Sequence, residues 1–393
     1  MEKRDLGLGP TSLLGFGLMR LPVTGGPSEI DKPKAMAMVD EAIAGGVNYF
    51  DTAWMYHAGE SENFAGEALS RHDRSKWLLA DKMPLMSITR KSDVDRIFSE
   101  QLRKCRVDYF DFYLLHGIMG NNVGLIDGLG IYENLGRKRE RGLIRHLGFS
   151  FHDSPAVLER VVSAHDYEFG QLQLNYYDWE NQDAAEQYRI LAERKIPVMV
   201  MEPVQGGTLA DPGEEAVGIL RAADPEASPA SWAFRYAASL PYVQTVLSGM
   251  GEMSQLRDNL GTFSPFRPLS DGERRTVSEA LTAFRKASRV PCTACRYCMD
   301  CPEGVEIPRN LGIYNDYSRM RSLKHPMADL LLKMEYGLLA EPQRAGSCVS
   351  CGNCVPLCPQ HIDIPHWMGE VARDHRALSM PPAEGPAIGK DRD

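Results

Sequence analysis

Eight short β-rich runs alternate with helix-period segments between residue 12 and about residue 249, and few folds accept that order. The runs are "SLLGFGLMR", "VNYFDTA", "KWLLADKM", "DYFDFYLLH", "IRHLGFSF", "FGQLQLN", "PVMVMEP" and "VQTVLSG". Between them lie "KAMAMVDEAIAGG", "ESENFAGEALSRH", "SDVDRIFSEQLRKC", "SPAVLERVVSAH", "DAAEQYRILAERK" and "SPASWAFRYAASL". Several of these open on a helix-start signal (Ser61, Ser92, Asp183, Ser228), and Gly45–Gly46 closes the first. Strands that alternate with helices imply right-handed βαβ units and a parallel sheet. Eight of them predict a closed (β/α)8 TIM barrel rather than an open doubly wound sheet. No strand is followed by the phosphate spacing G-x-G-x-x-G, which lowers the dinucleotide-sheet alternative. The glycine-rich "LGLGPTSLLGFG" has the wrong spacing and reads as turns around the first strand.

After "SGMGEMSQLRDNL" the pattern changes. "SDGERRTVSEALTAFRKASR" reads as an amphipathic helix and "HPMADLLLKMEYGLLA" as another, each leading toward a cysteine run. The expected organisation is a barrel over residues 1–268, a mainly α-helical ferredoxin-like domain over 269–378, and a disordered tail over 379–393. The tail reading rests on "SMPPAEGPAIGKDRD", rich in proline, glycine and charge.

Eight of the nine cysteines lie in two runs, "CTACRYCMDCP" and "CVSCGNCVPLCP". The N-terminus has no apolar run long enough for a signal peptide, and no stretch approaches the roughly 20 apolar residues of a membrane span. The expected location is therefore cytoplasmic, where clustered cysteines more often bind metal than form disulfides. Net charge is −9 with no basic block, which argues against nucleic acid or a membrane surface as a main partner. The second run is C-x2-C-x2-C-x3-C-P, the bacterial-ferredoxin spacing for [4Fe–4S] clusters, in which the fourth cysteine serves the other cluster. Carried over, Cys292, Cys295, Cys298 and Cys358 hold one cluster, and Cys348, Cys351, Cys354 and Cys301 the other. The first run is one residue short, since only Met299 and Asp300 separate Cys298 from Cys301. That leaves open which cluster Cys301 and Cys358 each serve. "GVEIP" and "HIDIP" follow the runs at matching positions and mark an internal repeat. Paired zinc sites are the alternative, but they usually join two C-x2-C knuckles from separate segments. The ninth cysteine, Cys105, sits in a helical pattern and reads as an inert buried thiol.

In a barrel of this kind reactive groups sit at the C-terminal ends of strands. Those ends carry Asp51, Lys82, His116, Ser150 and Asn175, with Tyr56 in the loop beyond Asp51. A tyrosine near its ordinary pKa of ~10 is a poor acid catalyst unless a cation stabilises its anion. Lys82 offers that charge, Asp51 would hold the lysine, and His116 would orient a carbonyl oxygen or join the proton transfer. Glu202, at another strand top, reads equally as catalytic or as half of a buried ion pair. Trp54, Trp179 and Tyr177 read as pocket lining or loop packing, His152 and Asp153 as the start of a helix at Ser154, and His57 has no assigned role.

At these residues the sequence resembles the aldo/keto reductase family. "NYFDTAWMYHAGESENFAGEAL", "LLADKMP", "FDFYLLHG", "LGFS" and "QLQLNYYD" are similar to its successive landmarks, over roughly residues 4–262. With the cysteine runs, "LGFGLMRLP" and "MEPVQGG" resemble the subgroup that carries a C-terminal 4Fe-4S ferredoxin-type region. The resemblance implies a catalytic tetrad of Asp51, Tyr56, Lys82 and His116. It implies hydride transfer from NAD(P)H to a small-molecule carbonyl, or the reverse from an alcohol, with Tyr56 as general acid. It places the nicotinamide amide near Ser150 and Gln171, and adenine near Asn259. Met201 stands where many members stack a tyrosine on the nicotinamide. Ser248 and Gln255 stand where members that prefer the 2′-phosphate carry a lysine and an arginine, with Arg257 the nearest base. NADH therefore fits no less well than NADPH, and a flavin is the alternative. Two functions follow from different classes: a redox enzyme whose clusters exchange electrons with a ferredoxin or other redox protein, or an electron carrier whose barrel is scaffold. Structural clusters on an ordinary reductase are a third.

Overall fold

In the computed structural model, residues 1–26, 28–181, 183–287, 289–322 and 328–379 are described. The chain divides into two compact units, Met1–Leu281 and the residues from Thr282 onward. The tail expected over 379–393 lies, beyond Ser379, outside the described residues. Among the described residues no helix is long and apolar enough to cross a membrane.

All eight expected strands form, and they close. They are β1 (Leu14–Gly17), β2 (Tyr49–Asp51), β3 (Leu78–Pro84), β4 (Phe110–Ile118), β5 (Ile144–Phe151), β6 (Phe169–Gln173), β7 (Val198–Met201) and β8 (Val243–Gly249). Each pairs in parallel with the next, and β8 returns to β1. Tyr49, Phe112, Phe169, Met199 and Leu247 fill the barrel with their side chains, so it is a packed core and not a pore. Gly15 is what lets two of them fit, since a Cβ there would stand 2.8 Å from Leu247 and 3.2 Å from Tyr49.

The helices covering the barrel include α1 (Lys32–Ala44), α2 (Ser61–Leu69) and α3 (Lys91–Cys105). Gly45 and Gly46 end α1 as expected, Gly46 with φ +92°. Two start signals are corrected. Ser61 is inside α2 behind Glu60; its hydroxyl is buried, bonding Thr52 Oγ1 at 2.9 Å and donating to Leu18 O at 3.2 Å. Ser92 lies inside the first turn of α3, where Asp93 Oδ2 accepts from the Thr89 and Arg90 amides instead. Asp183 precedes its helix without a side-chain cap bond, whereas Ser228 does cap, accepting from Ser231 N at 3.0 Å. The glycine-rich N-terminus is more than turns. Lys3–Arg4 and Thr11–Ser12 pair antiparallel, and Gln244 of β8 ties them down by donating to Arg4 O, Gly9 O and Thr11 Oγ1.

The division between the units falls inside the helix Asp271–Ala287. The second unit packs three helices, Ile307–Ser322, Ala328–Gly337 and Ile364–Ser379, around Leu311, Tyr314, Leu332, Tyr336, Met368 and Val371. Two buried asparagines on the first of these hold the loops that enter the cysteine runs. Asn315 accepts from Val290 N at 2.9 Å and donates to Val290 O at 2.7 Å. Asn310 accepts from Ala345 N at 2.9 Å and donates to Gln343 O at 2.8 Å. Asn315→Leu keeps the branched shape but strands the buried Val290 amide, at a cost of about 1–3 kcal/mol, while the Val290 carbonyl keeps only its bond from Cys292 N at 2.9 Å. The expected result is a lower thermal midpoint and faster iron loss on gel filtration; an unchanged midpoint would refute the role.

Candidate active site and metal centres

β2 ends on Asp51, and the chain then turns through Tyr56–Gly59, where His57 and Ala58 take left-handed φ values of +52° and +53°. That turn swings Tyr56 back over the barrel mouth. His57 holds it: its Nε2 accepts the Leu21 amide at 3.2 Å, a role the sequence did not disclose. Lys82 in β3 is fully buried. Its Nζ donates to Asp51 Oδ1 at 2.6 Å and Thr52 O at 2.7 Å, and lies 3.3 Å from the Tyr56 hydroxyl. His116 in β4 meets the Tyr56 ring edge-on, with centroids 6.0 Å apart. The structure thus brings Asp51, Tyr56, Lys82 and His116 together at the C-terminal mouth.

The electrostatics differ from the sequence expectation in one respect. Burial, reinforced by the charges of Asp51, Glu202 and Asp81, pushes Tyr56 well above the ordinary phenol range. The Lys82 ammonium does not reverse this, because Asp51 stands closer to it than the phenol does. Tyr56 is therefore a firmly protonated phenol. Burial, with the Lys82 and His152 charges, holds His116 well below its usual value, so it is neutral imidazole. Asp51 is raised by burial against the pull of Lys82.

Behind Lys82 lies a polar network that sequence reasoning missed. Gln101 of α3 donates to Lys82 O and to Glu62 Oε1, each at 2.9 Å, and accepts from Tyr113 OH at 2.5 Å. Lys104 bonds Glu62 Oε2 at 3.0 Å, and Cys105 donates its thiol to Asp81 Oδ2 at 3.7 Å, the inert buried role expected of it. Trp54 packs under the Lys104 ammonium and Trp179 against Tyr188 and Tyr236. Asn175 is committed to the loop beyond it, bonding Asp178 and Glu202 O.

Of the residues expected to meet a nucleotide, Ser150, Gln171, Met201 and Ser248 lie on the neighbouring strands β5 to β8. Ser150 and Gln171 are register partners on β5 and β6. Ser150 Oγ accepts the Gly117 amide at 2.8 Å, and Gln171 donates weakly to Met201 Sδ at 3.6 Å. Gln171 Oε1 is buried with no hydrogen-bond partner among the described residues, which suits it to an amide donor. Asn259 donates to Ser248 Oγ at 3.0 Å. Gln255 Oε1 takes the Gly251 and Glu252 amides, and Arg257 forms a two-pronged pair with Glu41 at 2.6 and 3.0 Å.

In the second unit the internal repeat is written in the backbone. Ala294 and Ser350, each two residues past the first cysteine of a run, have φ +53° and +56°, and their amides donate to Cys292 and Cys348 Sγ at 3.4 Å. Arg296 and Gly352 match at φ +69° and +80°, as do Gly304 and His361 at +73° and +50°. "GVEIP" and "HIDIP" each lead into a helix, at Ile307 and Ile364. None of the eight is in a disulfide. Burial and then the charges of Cys295, Cys292 and Cys358 push the Cys298 thiol up. Burial comes first for Cys354 as well, raised to about 11, and the thiols that add to it are Cys348, Cys351 and Cys301. Cys358 of the second run is thus felt at Cys298, and Cys301 of the first run at Cys354. Among the described residues no group of three or more His, Cys, Asp or Glu side chains is drawn in tightly enough for one metal ion.

Comparison with known proteins agrees with both halves. Residues 13–281 match the aldo/keto reductase family, and residues 291–365 match a 4Fe-4S dicluster domain. The uncharacterized oxidoreductase YqkF of Bacillus subtilis is 26% identical over 322 residues, spanning 74% of this chain and all of that protein. The NADH-specific methylglyoxal reductase of Escherichia coli is 23% identical over 234 residues, 53% of this chain and 69% of that protein. Among solved structures, the holo form of aldo-keto reductase AKR11C1 from Bacillus halodurans superposes with a TM-score of 0.60 at 26% identity, covering 71% of this chain and 96% of that one. The protein is an oxidoreductase that belongs to the aldo/keto reductase family, its barrel extended by a 4Fe-4S ferredoxin-type domain.

Proposed function

We propose that the barrel reduces the carbonyl of a small molecule, or oxidises the matching alcohol, and that two [4Fe–4S] clusters in the second unit exchange electrons with a ferredoxin or similar protein. The observation that carries the first part is Lys82 Nζ, buried 2.6 Å from Asp51 and 3.3 Å from the Tyr56 hydroxyl. A bound nicotinamide supplies the hydride. Tyr56 gives its hydroxyl proton to the carbonyl oxygen as the carbon–oxygen π pair localises there. Lys82, held by Asp51, stabilises the phenolate left behind, and neutral His116 orients the oxygen. Ser150 and Gln171 would hold the carboxamide, Gln171 through its unpartnered oxygen, and Met201 would pack on the ring. Ser248 and Asn259 would meet the adenosine. The influence of Cys358 on Cys298 and of Cys301 on Cys354 supports two clusters that share thiols between the runs, and cysteines outside disulfides suit a cytoplasmic setting.

At the corner where a 2′-phosphate would lie, Arg257 is paired with Glu41, Lys34 with Glu252 at 2.6 Å, and Gln255 with backbone amides. NADH should therefore exceed NADPH in kcat/KM by about tenfold or more, the value of one missing charge-assisted bond of about 1.5–3 kcal/mol. The test titrates protein purified without oxygen, first with NADH and then NADPH, following the clusters by EPR, with dithionite as control. Cluster reduction by NADH is the expected result. Hydride carries two electrons and a cluster one, so reduction by dithionite alone would deny direct coupling and shift the search to a flavin. Equal use of both nucleotides would refute the cofactor reading.

A further inference from the structure

Glu202 follows β7 at the same mouth and is held in a backbone conformation that glutamate rarely adopts, φ +55°. Gln205, Gly206 and Gly207 farther along also have positive φ, at +48°, +67° and +107°, so the loop turns tightly. The bend is anchored. Glu202 O accepts from Asn175 Nδ2 at 2.9 Å and from Gln205 N at 3.0 Å. Non-glycine residues held this way cluster at functional sites, because the surrounding structure must enforce them.

The carboxylate that this loop delivers is only partly satisfied. The carboxylate takes one hydrogen bond from the Gly206 amide of its own loop, and Oε1 lies 3.9 Å from Arg20 Nη2, beyond hydrogen-bond length, so Arg20 balances the charge without adding a bond. Oε2 is buried and has no hydrogen-bond partner among the described residues. Asp178, on the neighbouring loop, is the contrast: it accepts from Gln173 and Asn175 side chains at 2.7 and 2.5 Å and serves the fold. Glu202 keeps 14% of its side chain exposed, and the terminal carboxylate torsion is soft, so rotation can turn Oε2 toward the exposed side. Its charge is already felt at Tyr56.

Resting on the assignment of Tyr56 as the proton donor, we infer that Glu202, steadied by Arg20, accepts a hydrogen bond from a hydroxyl on the carbon next to the reacting carbonyl. The substrate class is then α-hydroxy aldehydes and ketones, and the orphaned acceptor discriminates against the deoxy analogue. A hydrogen bond to a carboxylate is worth about 10–100-fold in kcat/KM.

The experiment compares lactaldehyde (2-hydroxypropanal) with propanal in the wild-type holoenzyme, E202M and E202Q, with NADH and iron content monitored throughout. Aldehyde hydration cancels in the ratio of ratios. The expected result is a loss in E202M that falls on lactaldehyde about 10–100-fold more heavily than on propanal, with E202Q intermediate. E202Q also serves if E202M does not fold, since it keeps the shape and removes only the charge. An unchanged ratio overturns the proposal. So does an equal loss on both substrates with a raised KM for NADH, which would assign Glu202 to the cofactor. Y56F separates the two readings: if it keeps full turnover on both aldehydes, the Tyr56 assignment itself fails, whatever the Glu202 ratio shows.

Discussion

Replacing Tyr56 with phenylalanine is expected to lower carbonyl reduction by about 10²–10⁴-fold, the usual contribution of a positioned general acid. The variant is a clean one for structural reasons. The hydroxyl's contact with Lys82 is long, at 3.3 Å, while Lys82 keeps Asp51 at 2.6 Å and Thr52 O at 2.7 Å without it. The ring that meets His116 edge-on stays in place. Replacing Lys82 would be a poorer test, since an unpaired Asp51 left in the core costs about 3–5 kcal/mol and confounds chemistry with folding. Iron content and thermal midpoint of Y56F should match wild type, and turnover should collapse. Turnover that survives would remove Tyr56 from the mechanism and favour the reading of the barrel as scaffold.

The same assignment fixes the sign of the pH dependence. Tyr56 must be protonated to reduce a carbonyl, and burial raises it above the ordinary phenol value of about 10. Reduction should therefore hold its kcat up to about pH 10. His116 is held well below 6.5, so no acid limb from its titration should appear near neutrality. A fall in kcat centred between about pH 7 and 9 would mean that another group donates the proton.

What was legible in the sequence follows from which forces are local. The eight strands could be read because a parallel sheet buried on both faces leaves continuous apolar runs such as "FYLL" and "VMVM". Strand ends then located Asp51, Lys82 and His116 without knowledge of packing. The pairing of Lys3–Arg4 with Thr11–Ser12 was illegible, because two-residue strands have no period and Gln244, which secures them, comes more than 200 residues later. Helices at Ile131–Glu140 and Glu214–Ala223 escaped for a different reason: a glycine inside each weakens the local signal. His57 and Glu202 depend on left-handed backbone that non-glycine residues seldom announce. Gln101 with Glu62, and Arg257 with Glu41, are long-range pairs chosen by the fold. Cysteine spacing could be read as cluster chemistry, but with the first run one residue short it did not decide which run supplies each fourth thiol.

That choice is the subject of the second large effect. Cys298 has Cys295, Cys292 and Cys358 as its electrostatic neighbours, and Cys354 has Cys348, Cys351 and Cys301. In the crossed arrangement Cys301→Ala and Cys348→Ala strike the same cluster. The double variant C301A/C348A should then retain one cluster, about four irons of about eight, whereas C358A/C348A should lose both. If each run instead completed its own cluster, the results would exchange: C301A/C348A would lose all its iron and C358A/C348A would keep half. Iron and sulfide analysis of protein purified without oxygen, with EPR of the dithionite-reduced sample, reads the difference directly. The missing residue between Cys298 and Cys301 does not count against crossing. The matching φ values at Ala294 and Ser350, Arg296 and Gly352, and Gly304 and His361 show that the two loops keep the same path on both sides of it. A thiol shared out to the opposite cluster also explains why neither run stands alone: each would be left with three ligands and an open corner, a more labile site than the four-thiolate one. Loss of iron to zero in both double variants would mean that the two clusters assemble only together, and would refute their independence.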